Sequence, residues 1–300
     1  MRPLLLVGCS LAFLASPPAL VQAQDTEALY QQGLTAQQAG DYAQAEAIWR
    51  QMLQLDPNNA TLHGNLGYAL YRQRRLEEAE TAFREALRLD PNDAYTPSIL
   101  GLLVIDQGRF EEAEALLREA IQLDPNFANA HTGLGLALYY QERLAEAEAA
   151  FRESTRLDPT VAYAHYNLGN TLKLQEQFEE AETALRESIR LDPAYIPAHE
   201  DLGFVLYTQE RYEEAEAAYR ELTRLDSENP LAHANLGFAL GSQGRHQEAE
   251  TAFREAIRVD PDFAGGYTGL GIALREQGRL EESEAAFEEA RRLSDGPPPQ

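Results

Sequence analysis

Apolar positions along this chain recur with the spacing of amphipathic helices, and they do so in pairs. Residues 162–195 show the pattern most clearly. A first stretch carries Leu168, Gly169 and Leu172 on one helical face. A second carries Phe178, Ala181, Leu185, Ser188 and Leu191, three or four residues apart. That spacing matches the 3.6-residue period of a helix with one buried side. A short polar turn separates the two stretches, and Asp192-Pro193 ends the second, because the residue before a proline avoids the α region. The segment therefore predicts two helices folded back on one another.

The same unit recurs. Proline follows aspartate at positions 57, 91, 125, 159, 193 and 261, and the missing beat falls on Ser227, again behind an aspartate. A fixed period of 34 residues predicts an array of one supersecondary unit that buries its apolar face against its neighbours. With the proline at position 32, units begin at 26, 60, 94, 128, 162, 196, 230 and 264. The array spans 24–297 and leaves no stretch for a separate catalytic domain. Residues 298–300 are expected to be a disordered tail.

Leu-Gly stands at 66–67, 100–101, 134–135, 168–169, 202–203, 236–237 and 270–271. Alanine holds position 20 at Ala45, Ala79, Ala113, Ala147, Ala181, Ala215 and Ala249. A large residue holds position 24 at Trp49, Phe83, Leu117, Phe151, Leu185, Tyr219, Phe253 and Phe287. In these positions the chain resembles the tetratricopeptide repeat family, whose pattern is W-x2-L-G-x2-Y, then A-x3-F, then P. The resemblance implies an all-α fold, a right-handed α-α superhelix of about eight helix-turn-helix repeats with a concave binding wall.

Small residues at positions 8 and 20 are expected to let the paired helices approach closely. Glutamate at position 21 precedes arginine at position 25 in seven units, as in Glu182–Arg186. Such i,i+4 pairs are worth a few tenths of a kcal/mol each on a solvated face. The end units are more polar, with Gln32 in the first and Ser283 and Glu288 in the last, which suits a capping role. The last helix is expected either to fray or to be covered by a second copy, a homo-oligomer contact through the terminal repeat.

Residues 1–23 read as a cleaved signal peptide: Arg2, an apolar run from Leu4 to Leu14, a break at Ser16-Pro17-Pro18, and small-residue spacing at Val21-Gln22-Ala23. The mature chain would start at Gln24, exported to the periplasm or secreted. Leu6-Val7-Gly8-Cys9 resembles a lipoprotein box, but the short lead before it argues against lipid anchoring through Cys9. Cys9 is the single cysteine, so the array has no disulfide and no thiolate metal site. The net charge of −24 disfavours nucleic acid and direct binding to anionic membranes.

Five histidines, His63, His131, His165, His199 and His233, all fall at position 4. Equivalent side chains in adjacent units lie about 10 Å apart, whereas two ligands of one zinc must come within about 3–4 Å of each other. They are therefore read as packing residues, and no cofactor is expected. Asp90-Pro91-Asn92-Asp93 lacks calcium-loop spacing. Neither a phosphate loop nor H-E-x-x-H is present. The chain reads as no enzyme.

The resemblance puts positions 2, 5, 9, 12 and 13 on the concave wall. There the chain carries Tyr68, Tyr71, Tyr139, Tyr140, Tyr163, Tyr166, Asn170, Lys173, Phe204 and Tyr207, with Tyr30, Arg72, Tyr95, Leu102, Leu136 and Phe238 beside them. Asn167, with Asn65 and Asn235, keeps part of the position-6 asparagine ladder by which some members hold extended peptides. The lysine of the family's carboxylate clamp is missing: position 5 reads Tyr30, Gly64, Ser98, Thr132, Tyr166, Glu200, Ala234 and Thr268. Tyrosine offers large contact area with a polar tip. The chain is thus expected to be a scaffold or adaptor for protein or extended peptide, centred on units 4 to 6. Lys173, the lone lysine, would meet a partner's carboxylate. A glycan-binding module is the alternative, and would show a tight cleft with paired rings.

Overall fold

The computed structural model describes residues 18–295, with side chains from Thr26 to Ser294. Most of the expected signal peptide, with Cys9, and the tail at 298–300 lie outside the described residues. The chain forms two compact units, 1–107 and 108–300. The first holds α1 (Pro18–Gln38), α2 (Tyr42–Leu55), α3 (Ala60–Arg72), α4 (Leu76–Leu89) and α5 (Tyr95–Asp106). The second holds α6 (Phe110–Leu123), α7 (Ala128–Tyr140), α8 (Leu144–Leu157), α9 (Ala162–Leu174), α10 (Phe178–Leu191), α11 (Ile196–Thr208), α12 (Tyr212–Leu225), α13 (Pro230–Ser242), α14 (His246–Val259), α15 (Ala264–Glu276) and α16 (Leu280–Asp295). No strand occurs among the described residues. Within each unit successive helices pack antiparallel as hairpins, and each hairpin packs on the next. The fold is all-α and built of helix-turn-helix repeats in the expected register.

The turns explain that register. The second helices from α2 to α14 each end at an aspartate, with φ near −133° at Asp158, Asp192 and Asp260. The aspartate does more than precede proline. Its Oδ1 accepts from the backbone N–H two residues on, at 3.0 Å in Asp124–Asn126, Asp158–Thr160 and Asp192–Ala194. These Asx turns satisfy backbone N–H groups of the turn that follows the helix. Asp90 does the same for Asn92, and Asp93 caps α5 through Thr96, so this acidic stretch is turn chemistry.

The histidine ladder belongs to the same turn. Nε2 of His63, His131, His165, His199 and His233 stands 2.9–3.1 Å from the carbonyl oxygen six residues earlier, on Pro57, Pro125, Pro159, Pro193 and Ser227. A carbonyl only accepts, so each Nε2 carries a proton and donates. The rings pin the turn between repeats, which sharpens the packing role read from sequence.

The turn inside each hairpin needs a left-handed residue. Glycine supplies it at Gly40, Gly108, Gly244 and Gly278, but Arg74, Glu142, Glu176 and Glu210 adopt φ of 59–63° without that freedom. An L-residue there carries about 1–2 kcal/mol of strain. Glu176→Gly is therefore expected to stabilise the chain by about 0.5–1 kcal/mol, after glycine's extra backbone entropy is subtracted. A urea midpoint unchanged or lowered by this substitution would show that the turn is not strained.

The position-8 glycines make room chiefly for a large buried side chain of the paired helix. A Cβ built on Gly135 would stand 2.5 Å from the Phe151 ring, and one on Gly67 2.8 Å from Phe83. Phe83, Phe151 and Phe253 are among the largest fully buried side chains. In the last repeat, Ser283 is buried and its hydroxyl donates to the Gly271 carbonyl at 2.7 Å. That residue is part of the core, not of a polar cap. α16 is helical to Asp295, the last described residue.

The position-21 glutamates correct the sequence reading most. They are not solvated-face residues. Glu46 takes Arg50 at 2.9 Å on its own helix, and also Arg75 at 2.6 Å and Gln73 at 3.0 Å from the next repeat. Glu114, Glu182, Glu216 and Glu250 repeat the arrangement with Arg143, Arg211, Arg245 and Arg279. Glu148 faces Gln175 and Gln177 instead. Each carboxylate thus ties two repeats together. Burial alone would raise its pKa, yet the surrounding donors hold Glu46, Glu114, Glu148, Glu182, Glu216 and Glu250 below the usual carboxylate range.

Candidate functional site

Along the first helices, leucine at 7 and 11 and glycine at 8 take the buried side, and positions 9, 12 and 13 remain partly or fully exposed. The candidate residues lie on these faces, separately in the two compact units.

In the first unit the face is a network of tyrosine and arginine. Tyr71 donates its hydroxyl to Asp106 at 2.9 Å, and Arg74 meets the same carboxylate at 3.1 Å. Burial, then Asp106, pushes the Tyr71 phenol up to about 12. Arg72 donates to the Tyr68 hydroxyl at 2.7 Å, and its guanidinium lies 4.6 Å from the Tyr42 ring centre. Cation–π contact replaces a counter-ion there. The Asn65 amide nitrogen is buried and donates to no group among the described residues.

In the second unit the face runs over α7, α9, α11, α13 and α15. Tyr140 and Phe204 are about half exposed, at 52% and 49%, and Tyr163 is exposed as well. Tyr140 stacks on Phe110 at 5.0 Å and meets Tyr139 edge-on at 5.6 Å. Tyr166 is half-buried, with its edge against Tyr195 at 5.1 Å. Tyr207 packs on Tyr212 at 5.2 Å and shares a 3.0 Å hydrogen bond with Ser242. Burial, followed by the charge of Asp201, raises the phenols of Tyr139 and Tyr166.

Asp201 corrects the reading of the central polar group. Lys173 forms an ion pair with Asp201, and Asn170 donates to the other oxygen of that carboxylate at 2.7 Å. The two charged side chains are only 16% and 12% exposed. Lys173 therefore does not stand ready for a partner's carboxylate, since its own chain supplies one. Its ammonium also lies 5.7 Å from the Phe204 ring, so the pair braces an exposed aromatic. Asn167 donates its amide to the Tyr163 carbonyl at 2.7 Å, which uses one of the two N–H donors a peptide would take. Next to Asp201, burial and then that carboxylate raise the pKa of Glu200.

Farther along this face a pocket of about 390 Å³ is lined by α11, α13, α14 and α15. Tyr207, Phe238, Phe253 and Ile272 wall it, Gly241 leaves the space, and Gly237, Ser242, His246 and Glu276 stand among its lining residues. The sequence reading placed Tyr207 and Phe238 on this face but gave Gly241 and Ile272 no role. Among the described residues no cluster of three or more metal-ligating side chains occurs. No described helix is long and apolar enough to cross a membrane.

A family profile described as tetratricopeptide repeat matches residues 30–94, 100–162, 133–196 and 234–298, and a second, described as TPR repeat, matches 205–244. No curated protein matches the chain. Among solved structures, the chain is 24% identical to YrrB, a TPR protein with an unusual peptide-binding site. The TM-score is 0.57, over 66% of this chain and 98% of that one. PilF of Pseudomonas aeruginosa is 20% identical with a TM-score of 0.61, over 69% of this chain and 94% of its own. A tetratricopeptide repeat protein of Parabacteroides merdae is 18% identical with a TM-score of 0.56, over 84% and 99%. At these identities the likeness concerns the fold.

Proposed function

Because the chain belongs to the tetratricopeptide repeat family, whose fold serves as a protein- or peptide-binding scaffold, we propose that it is a non-catalytic adaptor that holds a polypeptide segment on the first-helix face of its second unit. The observation that carries this reading is the exposure of Tyr140 and Phe204 on that face, each fixed by its neighbours: Tyr140 by Phe110, Phe204 beside the Lys173–Asp201 pair. Rigid, half-exposed aromatics offer contact area at little entropic cost. YrrB, with the same fold, has a peptide-binding site. The glycan reading is weaker. Phe110 and Tyr140, the rings best placed to sandwich a sugar, lie against one another with an 18° interplanar angle.

We further propose that the protein works outside the cytoplasm, with residues 1–23 removed. The motive is the charged start, apolar run and Val21-Gln22-Ala23. One experiment addresses both proposals: affinity capture of the native protein from an envelope fraction, with mass spectrometry of its N-terminus and of what comes with it. A mature start at Gln24 and a stoichiometric polypeptide partner are expected. Tyr140→Ala with Phe204→Ala should weaken that partner's binding by thirtyfold or more, since one such hot-spot truncation costs about 2 kcal/mol. Circular dichroism should stay unchanged, and Glu213→Gln on the exposed face should bind as before. Retention of residues 1–23 would sink the export proposal. Equal losses from Glu213→Gln and from the aromatic pair would move the site off this face.

A further inference from the structure

Position 12 of the first helices in the second unit reads Tyr139, Lys173, Tyr207, Gly241 and Arg275. Four long side chains and one notch therefore occupy equivalent places. The notch is not required by packing. A Cβ on Gly241 would meet only the Ala249 Cβ, at 3.8 Å, an ordinary contact. By contrast, one on Gly237, a turn earlier, would stand 2.8 Å from the Phe253 ring. Nor does the backbone require it, since Gly241 lies within α13 and is not among the residues of positive φ. A glycine inside a helix costs about 1 kcal/mol relative to alanine. What it leaves is the pocket of about 390 Å³, near the lower end of the roughly 300–1,000 Å³ range of ligand pockets.

We propose that this pocket receives one bulky apolar side chain of the bound polypeptide, carried next to a lysine or arginine. The proposal rests on the peptide-binding reading above and says what that peptide must contain. The apolar part follows from the walls: Phe238 and Phe253 set edge to face at 4.9 Å, with Ile272 opposite and Ala249 and Ala273 buried beside them. The basic neighbour follows from charge. Glu276 is exposed in the lining and holds Arg275 only loosely, at 3.5 Å through Nε. Glu200 lies on α11, which also lines the pocket through Tyr207, and the whole chain carries −24. A cationic residue beside the apolar anchor gains from this field, and an acidic one is repelled.

The test is selection of random peptides displayed against the full chain, followed by affinity measurement of the winners on variants. The wild type should enrich peptides with a Leu-, Met-, Phe- or Trp-type residue flanked by Lys or Arg. Gly241→Leu fills the pocket from its own floor. It should weaken those peptides at least tenfold while melting no lower than wild type, since it removes a glycine from the last turn of α13. Glu276→Gln should weaken them about two- to threefold, with a loss that fades at high salt. If Gly241→Leu fails to fold, Gly241→Ala narrows the pocket by one carbon and should still cost severalfold. Failure of the wild type to enrich any peptide would overturn the adaptor reading and this proposal with it. Enriched peptides that bind Gly241→Leu, or a folded Gly241→Ala, as well as wild type would overturn the pocket alone. Winners rich in Asp or Glu, or lacking a bulky apolar residue, would overturn its assigned occupant.

Discussion

Gly169→Leu is expected to destabilise the protein by about 3 kcal/mol, at the upper end of the usual overpacking range. A Cβ at this position would stand 2.7 Å from Leu185 Cγ and 3.0 Å from Leu185 Cδ2. Those atoms belong to a fully buried side chain with nowhere to turn. The third neighbour decides the matter. The backbone carbonyl of Ala181 lies 3.2 Å away, and it can move only if α10 moves. The leucine must therefore push α9 and α10 apart. Each hairpin contacts chiefly the hairpins beside it, so lost protection in hydrogen exchange should be confined largely to α8–α11. Even loss from α6 to α16 would mean that the second unit unfolds as one body. The same substitution at Gly241 is expected to be harmless to folding. The contrast separates a glycine that packing requires from one that it does not.

That contrast was not legible in the sequence, although most of the architecture was. The 34-residue period, the Asp-Pro stops and the Leu-Gly pairs place every hairpin, because each is specified by residues within one repeat. The misreadings concern contacts between repeats. Glu46 has an arginine four residues away that accounts for it locally, so nothing pointed to Arg75, 29 residues away in the chain. Yet that second partner makes the carboxylate a staple. The staple recurs, so the period could have revealed it as a Glu-to-Arg spacing. Lys173 and Asp201 do not recur. Each occurs once at its position, and their pairing depends on how α9 lies against α11. The tyrosines of the candidate face were legible as a set. Their sorting into braced and exposed members was not, because it depends on residues at helix starts such as Tyr195 and Tyr212.

Glu216→Ala is the sharpest test of the staples, with an expected loss of about 2–3 kcal/mol. Glu216 is the most enclosed of these carboxylates whose ion pairs are described, with 6% of its side chain exposed against 15% for Glu182. It binds Arg220 on its own helix, Arg245 at 2.6 Å and Gln243 at 2.8 Å from the next repeat. Breaking a buried pair costs about 3–5 kcal/mol when the orphaned charge stays buried. Here Arg220 and Arg245 are 54% and 34% exposed and can rehydrate, which lowers the figure. Gln243 also keeps its bonds to the Tyr212 and Ala239 carbonyls. Glu182→Ala should cost less, but not nothing, and is unsuitable as a silent control. The pH dependence has a definite sign. Burial opposes ionisation of Glu216, but hydrogen bonds from Gln243 and Arg245, with the charges of Arg220 and Arg245, bring its pKa below the ordinary value. Its stabilisation is therefore present above the unfolded-state pKa of about 4.3 and is lost as pH falls through the lower, folded-state value. The gap between wild type and Glu216→Ala in urea melts should be constant near neutrality and close in acid below about pH 4. A gap under about 0.5 kcal/mol at neutral pH, the value of an exposed i,i+4 pair, would return these glutamates to the solvated face where their sequence placed them.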